Sequence, residues 1–129
     1  ELYTTYNNLN LNEKHVRIIG AQENPFCYLS NSDIFISPSE TEAFCMSLAE
    51  AIILEMPIIT TNVGSAKELL SESEFGLVVE NSEEGIYQGL KLYLDEPDII
   101  NKYRTKIKEL SKVFNIDTSV KAIEMLIEE

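Results

Sequence analysis

The sequence has 129 residues, of which 44% are hydrophobic and 25% are charged. This length and apolar content suit one globular domain with a substantial core. Ten Lys and Arg residues against 22 Asp and Glu residues give a formal net charge of −12. Because so acidic a chain is repelled by phosphate backbones and anionic lipids, the composition argues against a nucleic-acid-binding or membrane-surface protein.

The sequence lacks the patterns of a membrane span, a secretion signal and a metal site. The longest apolar stretch, residues 48–59, is interrupted by two glutamates and a proline and is too short to cross a bilayer. The first residues show no basic region followed by an apolar one, as a signal peptide would. Cys27 and Cys45 are far apart and His15 is the only histidine, so we predict no metal site. Two isolated cysteines are typical of reduced, partly buried thiols and favour a cytoplasmic location.

Short apolar runs alternate with helical patterns along the chain. Residues 1–12 read as the end of a helix, and further helical patterns cover 25–29, 47–54, 67–71 and 82–94. Asn81 and Glu84 form a capping pair for the helix at 82–94. Two more helices are predicted, one that begins at Pro97 and a last one capped by Asp117. The predicted strands are residues 16–19, 33–36, 58–61 and 76–79, which are rich in β-branched residues and bounded by turn-forming ones. The stripe of Tyr87, Leu90 and Leu94 is predicted to pack in the core.

This alternation is typical of βαβ units. We therefore predict an α/β fold, a Rossmann-like, doubly wound parallel sheet of about four strands, closed by helices at the C-terminus. We found no internal repeat and no linker, so residues 1–129 are predicted to form a single domain.

Residues 37–70 carry the most information about function. In an open α/β sheet, ligands bind beyond the carboxyl ends of the strands, where helix N-termini present free N–H groups. Glu42 lies in the loop after a predicted strand, and Glu50 lies on the second turn of the following helix. Carboxylates accept hydrogen bonds from sugar and ribose hydroxyls, and a helix N-terminus between them suits a phosphate. The pattern therefore indicates a pocket for a nucleotide-sugar.

The same segment resembles a known family. Seven residues separate Glu42 and Glu50 in EAFCMSLAE, which resembles the E-x7-E motif of retaining glycosyltransferases with the two-domain GT-B fold, particularly family 4. Four further segments, and the continuation of the motif through residues 50–59, resemble family motifs in the same order and spacing. The four segments are VRIIG at 16–20, DIFISPS at 33–39, NVGSAKEL at 62–69 and GLVV at 76–79.

The resemblance implies a role for individual residues. Glu42 matches the catalytic glutamate beside the donor sugar, and Glu50 matches the glutamate that binds the ribose hydroxyls. The further donor-binding positions are Phe44, Cys45, Met46, Ser47, Gly20 and Ala21, with Ser37, Gly64 and Glu68 as additional candidates. The implied donor is a nucleotide-diphosphate sugar, the implied acceptor is a glycan, lipid or other molecule, and neither a metal nor another cofactor is needed.

The sequence also departs from the family pattern. Ala43 and Cys45 replace two glycines of the motif, and Glu55 stands where a glycine usually ends the following helix. The family's upstream Arg and Lys, which grip the pyrophosphate, have no match. The resemblance covers about the last two-thirds of the C-terminal, donor-binding domain, and it implies an N-terminal domain of the same enzyme as partner. We expect the chain alone to be inactive.

Other interpretations remain open. The chain could be a non-catalytic, degenerate nucleotide-binding or interaction module, or, on the same fold, a sugar-nucleotide epimerase. Glu42 and Glu50 could be ordinary solvated glutamates. Ser37 and Gly64 could simply be turn-forming residues without a ligand. Glu68 could be present only because the helix dipole favours a negative charge in the first turn.

Overall fold

The computed structural model describes residues 2–9, 12, 14–43 and 45–113. The predicted helix after Asp117, and Phe44, lie outside these ranges. The helices and strands are α1 Leu2–Asn8, α2 Phe26–Leu29, β1 Phe35–Ser37, α3 Met46–Ile53, β2 Ile58–Thr61, α4 Ala66–Leu69, β3 Leu77–Val79, α5 Glu83–Asp95 and α6 Pro97–Ser111. In the part of the chain that the structure describes, no helix combines the length and apolar character that a membrane span requires.

The described residues form a parallel sheet in the order β1-β2-β3. Phe35 pairs with Ile58, and Ile59 pairs with Leu77. The central strand β2 is buried throughout, as expected for a strand that is paired on both sides and covered on both faces. The predicted α/β parallel architecture is confirmed, with three described strands instead of about four.

The strand predicted at residues 16–19 is wrong. This run forms neither a helix nor a strand, and Val16 and Ile19 are exposed. Its carbonyls accept hydrogen bonds from side chains instead: Tyr6 Oη donates to Val16 O at 3.3 Å, and Gln22 Nε2 donates to Ile19 O at 2.6 Å. A β-branched run becomes a strand only when a neighbouring strand satisfies its backbone groups, and the described residues place none beside it.

The main core lies on one face of the sheet. Helices α3, α4 and α6 contribute to it together with β2, because their apolar positions recur at helical spacing. Its fully buried members are Leu48, Ala51, Ile52, Ile58, Ala66, Leu70 and Ile107.

Helix α5 covers the opposite face. A Cβ added to Gly89 would lie 3.2 Å from Ile59 Cγ2 and 3.0 Å from Val79 Cγ1, so this glycine allows the helix to approach the sheet closely. One turn later, the fully buried Tyr93 donates a hydrogen bond from Oη to Ile58 O at 2.9 Å. Helices on both faces confirm the doubly wound arrangement.

The predicted core stripe on α5 is wrong for two of its three residues. Tyr87 is 58% exposed and Leu94 is 69% exposed, whereas Leu90 is half-buried. Because Gly89 allows a close approach, the face of α5 that carries Gly89 and Tyr93 packs against the sheet. Tyr87 and Leu94 therefore lie on the solvent-exposed face of the helix. The residue that caps the start of α5 also differs from the expected one.

The N-cap of α5 is Ser82, not Asn81. Ser82 Oγ accepts a hydrogen bond from Gly85 N at 3.0 Å, which satisfies one of the free amides of the first turn. Asn81 is thereby left to contact another loop.

The two cysteines lie in different surroundings. Both are free thiols, but only Cys45 is buried, and Cys27 on the short helix α2 is exposed. The expected partial burial is therefore wrong for Cys27, because α2 is a single turn without buried residues.

Helix α3 ends in a hydrogen-bonded left-handed turn. Glu55 has a φ of +57°, its N–H donates to Ile52 O at 3.0 Å, and Met56 N donates to Ala51 O at 3.0 Å. These are the two bonds of a Schellman motif, in which glycine normally takes the left-handed position. The sequence-based expectation that Glu55 stands in a glycine position is confirmed.

Candidate functional site at the carboxyl edge of the sheet

The loops that follow the three strands are joined to one another by hydrogen bonds. Thr61, at the end of β2, donates from Oγ1 to Ser39 O at 2.6 Å. Asn81, just after β3, donates from Nδ2 to Glu40 O at 2.8 Å. The loop between β1 and α3, which carries Glu42, is therefore attached to the ends of both other strands.

The carboxylate of Glu42 is held by its own loop. Ser39 Oγ donates a hydrogen bond to Glu42 Oε1 at 3.1 Å, and both residues are half-buried. Across 2–9, 12, 14–43 and 45–113, no hydrogen bond reaches Glu42 Oε2. The arrangement fixes one carboxylate oxygen and leaves the other available to a ligand.

Gly64 brings the loop after β2 against Glu42. Its φ is +49°, and a Cβ added there would collide with the Glu42 carbonyl oxygen and lie 3.2 Å from Ala43 O. Only glycine combines this backbone conformation with so close an approach. The structure thus places Gly64, a candidate from the sequence, in direct contact with the segment that carries Glu42.

Ser65, the neighbour of Gly64, has a buried hydroxyl. Among the residues placed in the structure, its Oγ has no hydrogen-bond partner. Such groups are uncommon in folded proteins, because an unpaired buried hydroxyl costs free energy.

Helix α3 begins immediately after this loop. Cys45 is its N-cap, and its side chain accepts no capping hydrogen bond from the first-turn amides. The Cys45 side chain is buried, with Sγ 3.9 Å from Val63 O, and so it points into the fold. Met46 and Ser47 are exposed in the first turn, and Glu50 is half-buried on the second.

The remaining candidates are not joined to this loop in the same way. Gly20 has a φ of +63°, and a Cβ added to it would meet no atom within 4 Å. Ala21 beside it is exposed. Glu68 is exposed in the first turn of α4. Ser37 is buried at the end of β1, where its carbonyl accepts a long bond of 3.4 Å from Thr61 Oγ1. Phe44 lies outside the described residues.

Sequence analysis missed the residues that hold the site together: Ser39, Thr61 and Asn81. Thr61 and Asn81 come at or just after the ends of neighbouring strands, and this position is the sequence signal that could have placed them at the site. Thr61 and Asn81 also border an open cavity of about 290 Å³ on the α5 side of the loops. The cavity is lined by Pro38, Glu40, Thr61, Asn81, Ser82, Glu83 and Ile86.

The loops at this edge are acidic. Residues 38–45, 62–65 and 80–82 contain Glu40, Glu42 and Glu80 and no Lys or Arg. Across the described ranges there is no group of three or more His, Cys, Asp or Glu residues arranged to hold a metal ion. A negatively charged ligand at this edge needs cationic partners from elsewhere.

The chain is similar to a known protein family and to several of its members. Residues 5–114 match the family model of the glycosyl transferases group 1. Over 117 residues the chain is 34% identical to N-acetylgalactosamine-N,N'-diacetylbacillosaminyl-diphospho-undecaprenol 4-alpha-N-acetylgalactosaminyltransferase of Campylobacter jejuni. The matched region makes up 89% of this chain and 32% of that protein. Over 69 residues it is 33% identical to the capsular polysaccharide biosynthesis glycosyltransferase CapM of Staphylococcus aureus, with 54% of this chain and 18% of that one covered.

Solved structures show the same fold. A glycosyltransferase from Rickettsia africae superposes with a TM-score of 0.81 at 25% identity, over 97% of this chain and 34% of that one. Sucrose-phosphate synthase from Thermosynechococcus elongatus superposes with a TM-score of 0.71 at 18% identity, over 99% and 34%, a likeness of fold alone. The chain spans about a third or less of the length of these proteins.

Proposed function

Because the chain belongs to the group 1 glycosyl transferases, we propose that it is the donor-binding portion of such an enzyme. The proposed reaction transfers a sugar from a nucleotide-diphosphate sugar to a glycan, lipid or other acceptor, with retention. The observation that carries this proposal is the half-buried Glu42 carboxylate, held through one oxygen beside Gly64 and followed by the uncapped start of α3.

In this proposal each element of the site has a different task. Glu42 Oε2 accepts a hydrogen bond from the donor sugar, and Glu50 accepts bonds from the ribose hydroxyls. The amides at the start of α3, from Cys45 to Ser47, face the phosphates, where the helix dipole favours negative charge. The segment at Gly20 and Ala21 contributes near the base, and Phe44, Ser37 and Glu68 keep the donor-side roles that the family motif implies.

The proposed chemistry exchanges one glycosidic bond for another on the same face of the sugar. The bond between the anomeric carbon and the phosphate oxygen breaks, and a bond from that carbon to the acceptor oxygen forms. The acceptor proton passes to the departing phosphate oxygen. Glu42 stabilises the sugar as charge develops on it, which is an interaction stronger in the transition state than in the ground state.

Charge balance supports a further partner in the same enzyme. The pyrophosphate leaves with negative charge, yet the loops at the carboxyl edge carry glutamates and no basic residue. We propose that the Arg and Lys that the resemblance implies upstream in the donor-binding domain supply the cations, with an N-terminal domain of the same enzyme as the further partner. The much greater length of the relatives is consistent with both. The 129-residue chain alone should then transfer no sugar. The proposed location is the cytoplasm, the proposed partners are the nucleotide-sugar donor and an acceptor, and no further cofactor takes part.

The second candidate is a degenerate module that binds a nucleotide without catalysis, favoured by the two replaced glycines. Ala43 is exposed and the Cys45 side chain is buried toward Val63, so neither replacement need fill the space beside Glu42. This packing favours the transferase. Two relatives are named for capsular polysaccharide biosynthesis and for a diphospho-undecaprenol glycosyltransferase, which supports polysaccharide biosynthesis as the setting.

Two measurements test the proposal. Calorimetric titration of the protein with UDP, GDP and ADP should show binding of one nucleotide, and the same protein with Glu50→Gln should bind it more weakly. Transfer from the matching nucleotide-sugars by the complete enzyme should fall with Glu42→Gln. Glu40→Gln, an exposed glutamate of the same loop, is the control and should stay active. A complete enzyme that binds none of the three nucleotides and transfers no sugar would refute the proposal.

A further inference from the structure

Two hydrogen bonds connect the central strand to the carboxylate of Glu42. Thr61 is 2% exposed at the end of β2, and its Oγ1 donates to Ser39 O at 2.6 Å. The hydroxyl of the same Ser39 donates to Glu42 Oε1 at 3.1 Å. The side chain of Glu42 is thus linked, through one serine, to a strand that is paired on both sides.

We propose that Ser39 is the positioning residue for Glu42 and that Thr61 fixes Ser39 in place. This inference rests on the proposed function and deepens it. Ser39 holds Oε1 so that Oε2 is directed at the donor sugar, while the bond from Thr61 keeps the Ser39 backbone at a constant distance from the sheet.

The position of Glu42 in the chain explains the need for such a device. Glu42 lies on a loop, and its neighbours Thr41 and Ala43 are exposed. A glutamate side chain loses much rotamer freedom when it is held in one orientation, and a catalytic group must be held within about 0.5 Å of its productive position. In the part of the chain that the structure describes, the bond from Ser39 is the one hydrogen bond that restrains this carboxylate.

Thr61 holds the loop in a fixed position relative to the sheet. Its backbone is paired with Val79 in the parallel ladder, so Thr61 Oγ1 is a fixed point. It donates to Ser39 O at 2.6 Å and lies at 3.4 Å from Ser37 O. Its hydroxyl therefore holds the turn through Pro38 mainly at Ser39, three residues before Glu42, and also lies close to the start of that turn.

The test uses the complete enzyme with S39A, S39T and T61V. Loss of a hydrogen bond to a charged group should lower kcat about ten- to a hundredfold in S39A, with KM for the donor within about twofold of wild type. S39T retains the hydroxyl and should recover most of the lost rate. T61V, which removes the anchor but keeps the buried shape, should lower kcat in the same direction. Ser32→Ala, an exposed serine on a distant turn, should leave kcat unchanged.

The decisive comparison places S39A in an E42A background. If Ser39 acts through Glu42, S39A should cause no further loss of kcat once the carboxylate is gone. A further loss in that background, or equal changes in kcat and KM together with a lower thermal midpoint, would assign Ser39 a general structural role and overturn the inference. If E42Q is impaired while S39A keeps the wild-type rate, the inference fails and the proposed function stands. If the wild-type enzyme neither binds nucleotide nor transfers sugar, both fail.

Discussion

The backbone of Gly64 lies against the main-chain carbonyl of Glu42, with a positive φ of +49° and no room for a Cβ. The loops after β1 and β2 therefore fit together only if this position carries no side chain. Their contact sets where the loop with Glu42 sits above the sheet.

Replacing Gly64 with Ala should destabilise the protein and weaken nucleotide binding. The left-handed backbone alone costs about 1–2 kcal/mol for a non-glycine residue, and the collision with Glu42 adds to it. Gly20→Ala is a matched control, because Gly20 also has a positive φ, of +63°, but an added Cβ meets nothing within 4 Å. Denaturant unfolding of both variants measures the difference in stability, and calorimetric titration of Gly64→Ala against wild type measures the loss of nucleotide binding. Equal destabilisation in the two would mean that the contact with Glu42 has no energetic weight.

Glu50→Gln and Glu42→Gln should change the complete enzyme in different ways. An amide at position 50 loses a charge-assisted acceptor for the ribose, which should weaken donor binding by about 1.5–3 kcal/mol and raise KM. An amide at position 42 should mainly lower kcat, since the sugar and not the ribose changes charge in the transition state. Steady-state kinetics on both variants, with Glu40→Gln as control, separate the roles. Identical profiles would show that the roles are wrongly assigned even though the family is right.

Replacing Glu55 with Gly should stabilise the protein. Glu55 adopts a φ of +57° at the end of α3, where a side chain costs about 1 kcal/mol. Its carboxylate lies 3.3 Å from Ser111 Oγ, a partly buried contact, and 3.9 Å from Lys108 Nζ, an exposed ion pair of small stabilising value. Glu55→Ala, which loses these contacts but keeps the Cβ, is the control. The free energy of unfolding should rank Gly above Ala, and the reverse order would contradict the strain at this turn.

Tyr93 should make the stability fall at alkaline pH. Burial raises the pKa of Tyr93 above its usual value of 10.0, with a further contribution from Tyr103. Burial also raises the pKa of Tyr103. Because the folded state keeps these protons longer than the unfolded chain does, the associated stability is fully present below about pH 10 and is lost as the pH rises further.

Tyr93→Phe should reduce this alkaline decline. At pH 8 the variant should lose about 1 kcal/mol with the hydrogen bond to Ile58 O, and the gap from wild type should narrow above pH 10. Unfolding free energies from pH 8 to about pH 11.5 test this. Tyr87→Phe, an exposed residue of the same helix, should match wild type throughout. A constant gap across the pH range would exclude Tyr93 as the source.

Local signals were strong enough to predict much of the fold. The strand at residues 58–61 has the predicted bounds, because a β-branched run there is bracketed by Pro57 and Asn62. Helix α6 begins at Pro97 as predicted, where proline costs no hydrogen bond. The run at 16–19 has the same composition as a strand, yet pairing depends on a neighbour that local sequence does not reveal.

For the candidate site, too, some residues could be predicted from the sequence and others could not. A strand, a loop and a helix in succession were enough to place Glu42 on the loop and Glu50 on α3. Ser39 and Thr61 were missed because their importance depends on which loops touch, and two residues far apart in sequence show no spacing pattern. The exposed side of α5 was missed because Gly89, which has no side chain, sets the face that packs against the sheet.

The pairing of Tyr93 with Tyr103 gives the protein an optical reporter of its own packing. The sequence has six tyrosines and no tryptophan, so tyrosine dominates its near-ultraviolet absorbance and fluorescence. The two rings lie 5.9 Å apart between α5 and α6, and Tyr93 is also bonded to the central strand. Burial raises the pKa of Tyr93, so its ionisation should accompany the opening of this junction. The late part of a spectroscopic tyrosine titration should therefore report the loss of packing where α5 meets α6 and the central strand.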